Sequence, residues 1–179
     1  MRRARIATVA LALFALAGGT AGAQGGTALL TGTFQMRGRL TKVVHVFGEH
    51  TGQRVRRRWR FAPQCQSADC PIVVLKRQRS GRHIVDTITL TRQSSGSYVG
   101  RGRFFFAVRC AGKRVRHGGV AGEKIAVEIT RTATVGTTRF ATAIRATYRN
   151  PWRRNLTRCP GGLGRDAARY HGKLVSGAP

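Results

Sequence analysis

Acidic residues are scarce in this chain of 179 residues, which has six Asp and Glu against 33 Lys and Arg. Hydrolytic enzymes need a base with an orienting partner, and nothing in the order of the five His and six acids places such a pair together. Gly-x-Ser-x-Gly, His-Glu-x-x-His and phosphate-loop motifs are also missing. The sequence therefore predicts a non-enzymatic protein without catalytic residues or cofactors. An enzyme with a site that no motif reveals is an alternative.

Long hydrophobic runs are missing as well, and the longest, residues 6–17, is shorter than the roughly 20 residues that span a bilayer. Three arginines precede this run, and Ala21, Gly22 and Ala23 follow it, which is typical of a signal peptide with a small-x-small cleavage site. No cysteine follows for a lipid anchor. We expect residues 1–23 to be a signal peptide and residues 24–179 to be one domain, secreted or in the cell envelope, without a transmembrane segment.

No sustained helical period occurs after Gln24, whereas β-branched and aromatic residues recur in short runs bounded by turn residues. Such runs predict an all-β fold: a single antiparallel domain of about eight or nine strands. Hairpin-length links favour an up-and-down, lipocalin-like barrel over a Greek-key sandwich. A short helix over 167–171, capped by Asp166, is an alternative for the chain end. The predicted strands are 28–37, 40–47, 54–61, 72–79, 83–91, 97–109, 124–134, 138–149 and 167–175.

Alternation within these runs predicts which side chains face the core. Val55, Trp59 and Phe61 share one side of their strand, and the arginines at 54, 56, 58 and 60 share the other. Arg57 falls on the apolar side, so it must lie at a sheet end, extend to the surface, or pair with a carboxylate. The run Phe104-Phe105-Phe106 indicates either coverage of both faces or a β-bulge.

Four cysteines occur after the predicted signal peptide, and an even number in an exported protein predicts disulfides. We favour Cys65–Cys70, which flank a short loop, and Cys110–Cys159, which each follow a predicted strand. Zinc is disfavoured because paired Cys-x-x-Cys knuckles are missing. His45 and His50 bracket a predicted turn, which is better explained as solvated than as a metal site. We therefore predict no metal.

Basic residues dominate the predicted mature chain, where 30 Lys and Arg face six acids, because three of the 33 lie in the signal peptide, and its net charge is +24. Over the full sequence, arginine outnumbers lysine 28 to 5, which also fits the codon usage of a GC-rich genome. Two basic clusters adjoin Cys110 and Cys159, so a disulfide would bring them to one end of the domain. The predicted binding residues are Lys113, Arg114, Arg116, Trp152, Arg153, Arg154 and Arg158.

Guanidinium groups at that end suit phosphate and carboxylate, so we expect anionic envelope or extracellular polymers, or anionic lipids, as partners. Export argues against a specific nucleic acid partner. The second hypothesis is a barrel that carries a small apolar ligand, lined by residues such as Phe104, Phe106, Ile125 and Phe140. A large internal apolar cavity would favour this carrier, whereas a filled core with a continuous arginine surface would favour the polymer binder.

The run from Trp59 to Cys65 has the form Trp-x-Phe-x-Pro-x-Cys and is followed by Cys70, Tyr98-x-Gly100 and Cys110. This pattern resembles that of small exported β-domain proteins of actinobacterial type that are uncharacterised. The resemblance covers about a third of the chain. It implies a disulfide-bonded β-domain and no particular activity.

The mature protein is expected to begin at Gln24, because the motif Ala21-Gly22-Ala23 places small residues where signal peptidase requires them. Mass spectrometry of the exported protein checks this expectation. A mass that retains residues 1–23 would contradict it.

Overall fold

The computed structural model describes residues 27–46, 48–78, 85–159 and 164–177. The predicted signal peptide and His83 lie outside these residues. All of the described secondary structure is β. The strands are β1 (Gly32–Val44), β2 (Arg54–Pro63), β3 (Ile72–Gln78), β4 (Val85–Ser94), β5 (Ser97–Cys110), β6 (Lys113–Val135), β7 (Thr138–Arg149), β8 (Arg153–Asn155) and β9 (Arg165–Ser176).

The strands form one antiparallel sheet in the order β5-β4-β3-β2-β1-β9-β7-β6-β8. Because β5 also pairs with β6, the sheet returns to itself and forms a closed ring. Each strand from β1 to β6 pairs with the next in sequence, as the hairpin-length links predict. The predicted all-β antiparallel fold, with sequential strands as neighbours, is confirmed.

β8 is the continuation of β7 along the same edge of β6. Arg149 pairs with Lys124, and after a short interruption Arg153 pairs with Ala121, so the antiparallel register runs on with a shift of one residue. Asn150, Pro151 and Trp152 make this interruption, and the Gly122 amide donates to the Trp152 carbonyl across it. The ring therefore has eight strand positions, and β7 and β8 together occupy one of them as an interrupted strand.

Two strand predictions are wrong. The runs 28–37 and 40–47 belong to one strand from Gly32 onward, because Gly38 pairs with both Val55 and Tyr170 and no turn forms there. Strand β6 begins at Lys113, well before the predicted start at residue 124. The chain end is strand β9, so the alternative helix over 167–171 is also wrong.

The inside of the ring is filled by its own side chains. Trp59, Tyr98, Phe34 and Phe61 are fully buried, and Phe34 and Phe61 pack edge to face with ring centres 5.4 Å apart. Alternation predicts this side correctly, since Val55, Ile125 and Val127 face inward while the arginines of β2 at 54, 56, 58 and 60 are exposed. Burying this apolar surface is the main force that holds the ring together.

The ring has two ends, each held by one predicted disulfide. Cys65–Cys70 and Cys110–Cys159 are both formed, each with a Cα–Cα distance of 5.6 Å, so the predicted pairing is confirmed. We call these the Cys65 end and the Cys110 end. No helix in the described ranges has the length and apolar character needed to cross a membrane.

The Cys65 end is closed by the segment that precedes β1. Leu29 bridges Phe140 of β7, and its amide donates to the Arg139 carbonyl at 2.8 Å. Cys70 packs against both of these apolar side chains. The Tyr98 hydroxyl donates to the Cys70 carbonyl at 3.2 Å and so ties the disulfide loop to the core.

A buried charge network lies inside the ring toward the Cys110 end. The Arg77 guanidinium donates from Nη2 to Asp86 Oδ2 at 2.9 Å and to Glu123 Oε2 at 2.6 Å, and it stacks over the Tyr148 ring at 4.7 Å. Burial is the largest single influence and would lower the pKa of Arg77, but Glu123, Tyr148 and Asp86 together outweigh it and raise the pKa. Arg77 therefore links β3 and β4 to β6 and β7 across the interior.

Replacing Arg77 with Met should lower the free energy of unfolding by about 3–5 kcal/mol, because two buried carboxylates lose their cation. Urea unfolding monitored by tyrosine and tryptophan fluorescence measures the change. Arg60→Met on the exposed side of β2 is the matched control and should change stability by about 0.5 kcal/mol or less. Equal effects of the two substitutions would show that the network is not stabilising.

Candidate functional site

The β5–β6 hairpin forms an arm, residues 103–122, at the Cys110 end. Strand β4 pairs with β5 only between Ser97 and Gly100, whereas β5 and β6 remain paired as far as Cys110 and Lys113. Ala111 and Gly112 form the turn with φ values of 47° and 77°, the left-handed backbone that a tight hairpin turn requires. The arm tip is thus a two-stranded ribbon without other strands beside it among the described residues.

The loop after β8 braces this arm. Cys159 is bonded to Cys110 next to the hairpin turn, and the Leu156 amide donates to the Gly118 carbonyl at 2.8 Å. The Asn155 side chain orders the loop, because its Nδ2 donates to the Cys159 carbonyl and its Oδ1 accepts from Thr157. The arm and this loop are far apart in the sequence but close together in the fold, as the predicted disulfide between Cys110 and Cys159 implies.

The structure brings most of the predicted binding residues to this end. Lys113, Arg114 and Arg116 are exposed at the arm tip, and Arg114 pairs directly with Arg109 across the hairpin. Arg154 and Arg158 are exposed on β8 and on the loop that follows it. These cations have no acidic residue near them in sequence, since none occurs in residues 103–122 or 150–159.

Arg153 differs from its neighbours because the fold itself uses its charge. Its Nη2 donates to Asp166 Oδ1 at 2.6 Å, and its guanidinium lies 5.2 Å from the centre of the Phe106 ring. Both side chains of this ion pair are largely buried. Of the predicted binding residues, Arg153 is therefore the one with a clear structural role.

Trp152 lies on the outer face of the ring beside Phe105. Its indole ring covers Gly122 so closely that a Cβ at residue 122 would overlap it. Phe105 pairs with Val120, and Val120 pairs with Arg154 on its other side, so these side chains share that face. Phe105 is 54% exposed and Trp152 is 42% exposed. Trp152 is among the predicted binding residues, whereas Phe105 is not, because its exposure depends on the register of β5.

A second basic surface, which sequence analysis does not assemble, covers the outside of β2, β1, β9 and β7. Register sets its cations directly opposite one another: Arg37 pairs with Arg56, and Arg39 pairs with both Arg54 and Arg169. We call this the basic sheet face. Its exposed residues are Arg54, Arg56, Arg58 and Arg60 of β2, Arg37 and Arg39 of β1, Arg169, His171 and Lys173 of β9, and Arg145 and Arg149 of β7.

Neighbouring strands lie about 4.8 Å apart, so these guanidinium groups are closely spaced over the basic sheet face. Like charges directly opposite each other destabilise a sheet pair. At one margin of the basic sheet face, Glu128 of β6 pairs with Arg145 and places a carboxylate opposite that cation. At this margin a groove of about 780 Å³ opens on the surface, and its wall includes Glu128 together with the basic residues Arg145, Arg169 and His171. Anionic groups are the ligands that such a groove suits.

Most of the six acidic side chains are buried or half-buried. Asp86, Glu123 and Asp166 are buried, Glu49 is half-buried, and only Asp69 and Glu128 of the six are exposed. Glu49 lies at the Cys110 end, where burial raises the pKa of its carboxyl group, Asp166 raises it further, and Arg57 and Arg153 oppose the rise. Arg57 is half-buried, and its Nη1 donates to the Arg56 carbonyl at 2.9 Å.

Within the described ranges, no three His, Cys, Asp or Glu side chains are grouped as metal ligands would be. His45 and His50 line a shallow surface cleft with Glu49. Phe104 and Phe106 are half-buried with ring centres 6.3 Å apart, whereas Ile125 is fully buried in the core.

Neither a family model, nor a curated protein, nor a solved structure matches the chain. The class of the protein therefore rests on its own fold and charges. It is an all-β protein of one closed antiparallel sheet with a disulfide at each end and a strongly basic outer surface.

Replacing Glu49 with Gln should remove a pH dependence of stability. Because folding raises the pKa of Glu49, its contribution to stability is present below its ordinary value of 4.5 and is lost as the pH rises through the raised value. The variant should match the wild type at pH 4 and be more stable at pH 7, as measured by urea unfolding. Exposed Glu128→Gln is the control. A Glu49 variant less stable than wild type at pH 7 would contradict the expectation.

Proposed function

We propose that this is an exported, non-enzymatic protein that binds anionic polymers of the envelope or extracellular space through the basic sheet face. The observation that supports this proposal is the ladder of exposed arginines across β2, β1 and β9, in which Arg54, Arg39 and Arg169 are direct neighbours. No acidic side chain of these three strands is exposed. The positive field over this surface is therefore almost uncompensated.

A bound polyanion would relieve the repulsion within this ladder. Each guanidinium offers a planar fork of donors that fits phosphate, sulfate or carboxylate in bidentate fashion. Exposed side chains on one strand repeat about every 6.6–7 Å, and strands repeat about every 4.8 Å, so a flexible polymer can contact several guanidinium groups at once. The groove beside Arg145, Arg169 and His171 offers one of its anionic groups a partly enclosed position.

The predicted cluster at the Cys110 end is a second basic surface. Its exposed cations Lys113, Arg114, Arg116, Arg154 and Arg158 attract polyanions by the same physics. Its charge density is lower, because Arg153 is already neutralised by Asp166. We therefore assign the stronger polymer contact to the basic sheet face.

The alternative, a carrier of a small apolar ligand, has less support. Large side chains such as Trp59 and Tyr98 fill the inside of the ring, and both concavities described above open on the polar surface. Two disulfides fit an oxidising extracytoplasmic setting. An exported protein is separated from genomic nucleic acid, and phosphate contacts alone would not give sequence specificity.

Two variants, each lacking four cations, test the proposal. Replacing Arg37, Arg39, Arg54 and Arg56 with Gln should weaken binding to an anionic polymer such as polyphosphate by about tenfold or more, and the wild-type affinity should fall steeply with salt. Replacing Lys113, Arg114, Arg116 and Arg154 should have a smaller effect. Isothermal titration at two salt concentrations measures both affinities.

Both variants should keep the wild-type melting temperature or exceed it, since exposed like-charge pairs contribute nothing favourable to stability. Equal losses of affinity would indicate a generic cationic surface without a localised site. A larger loss in the arm variant would move the polymer site to the Cys110 end.

A further inference from the structure

Two exposed aromatic side chains project from the Cys110 end, apart from the basic sheet face. Phe105 and Trp152 lie on the outer face around buried Val120 and Gly122, with exposures of 54% and 42%. The Phe105 ring also contacts the His117 ring, with centres 5.5 Å apart. Neither aromatic belongs to the core inside the ring. Their exposure leaves apolar surface in water that the fold does not cover.

Cations surround this aromatic pair. Arg103 pairs with Gly122 beneath the Trp152 ring, and Arg154 pairs with Val120 beside Phe105. Farther along the arm, Lys113 and Arg114 flank the hairpin turn. The combination of protruding aromatic rings with a rim of cations differs from the basic sheet face, which has cations without exposed aromatics.

A bilayer surface with anionic headgroups is the partner that fits this combination. Tryptophan and phenylalanine partition into the headgroup region, while lysine and arginine are attracted to anionic lipids. These rings lie on the outer face of β5, β6 and β8, so they can enter a bilayer surface without moving the core inside the ring. A second copy of this chain fits poorly, because a protein of such high positive charge repels itself.

We propose that the outer face formed by the arm, Trp152 and β8 docks on anionic lipid surfaces, with Phe105 and Trp152 inserted at headgroup depth and Arg103, Arg154, Lys113 and Arg114 on the lipid phosphates. This contact does not depend on polymer binding by the basic sheet face. A protein held in this way keeps the surface of β2 and β1 available to a polymer.

Intrinsic fluorescence gives a direct test, because the chain has two tryptophans and Trp59 is fully buried in the core. Vesicles of phosphatidylglycerol and phosphatidylcholine in equal parts should shift the Trp152 emission to shorter wavelength and protect it from an aqueous quencher. Vesicles of phosphatidylcholine alone and soluble polyphosphate should not. Trp152→Phe, which removes the reporter, should abolish the shift.

Co-sedimentation with the same vesicles measures the contribution of each aromatic. Phe105→Ser and Trp152→Ser should each lower the partition coefficient by about tenfold, since each removes roughly the free energy of burying one aromatic side chain. Val135→Ser is the matched control, because Val135 is 51% exposed at the opposite end of the ring. It should bind like the wild type.

Three results would overturn the proposal: no binding to anionic vesicles, binding without an emission shift, or wild-type binding by both serine variants. An equal shift with soluble polyphosphate would assign the arm to polymers and overturn the lipid assignment. The variant lacking Arg37, Arg39, Arg54 and Arg56 separates the two proposals, because it should keep the emission shift on vesicles even where its polymer binding is lost.

Discussion

Closure of the sheet is the constraint on which the rest of this structure depends. Once β5 pairs with β6, every strand has one side inside the ring and one side outside. Because successive side chains alternate, each side chain of a strand faces either the interior or the outer surface. The inside accommodates Trp59, Tyr98 and their apolar neighbours, so the arginines that alternate with them must share the outside. The basic sheet face is thus the necessary counterpart of the core, and its density follows from the register of β1 with β2 and β9.

The positions of the acidic residues make the outer surface of the ring still more basic. Asp86 and Glu123 hold Arg77 inside the ring, and Asp166 holds Arg153 at the rim, so three of the six carboxylates neutralise buried arginines. Burying each of these ion pairs costs desolvation free energy, and close hydrogen-bonded contact between the partners has to offset that cost. The consequence outside is a surface with two exposed carboxylates, Asp69 and Glu128. Internal charge pairing therefore increases the imbalance that a polyanion meets.

Much of this arrangement could be predicted from the sequence, and the rest could not for identifiable reasons. Alternation and cysteine order are local signals, so the inward side of β2 and both disulfides are predicted correctly. Register between distant strands leaves no local signal, so the contact of Arg39 with Arg169 is missed. Gly38 also misleads, because a glycine within a strand resembles a turn residue, whereas here the Tyr170 ring packs over it.

The two ends of the ring differ in a way that bears on function. At the Cys65 end, Leu29 and Cys70 cover the core, and the disulfide secures that cover. At the Cys110 end, the core is covered instead by ion pairs, and the disulfide joins an arm to its brace. Phe105 and Trp152 lie on the outer face at this end, because Phe105 pairs with Val120 and the Trp152 ring covers Gly122. Alternation turns Phe106 to the other face, where the Arg153 guanidinium lies over its ring. The charged closure and the exposed aromatic side chains therefore occupy opposite faces of the same strands.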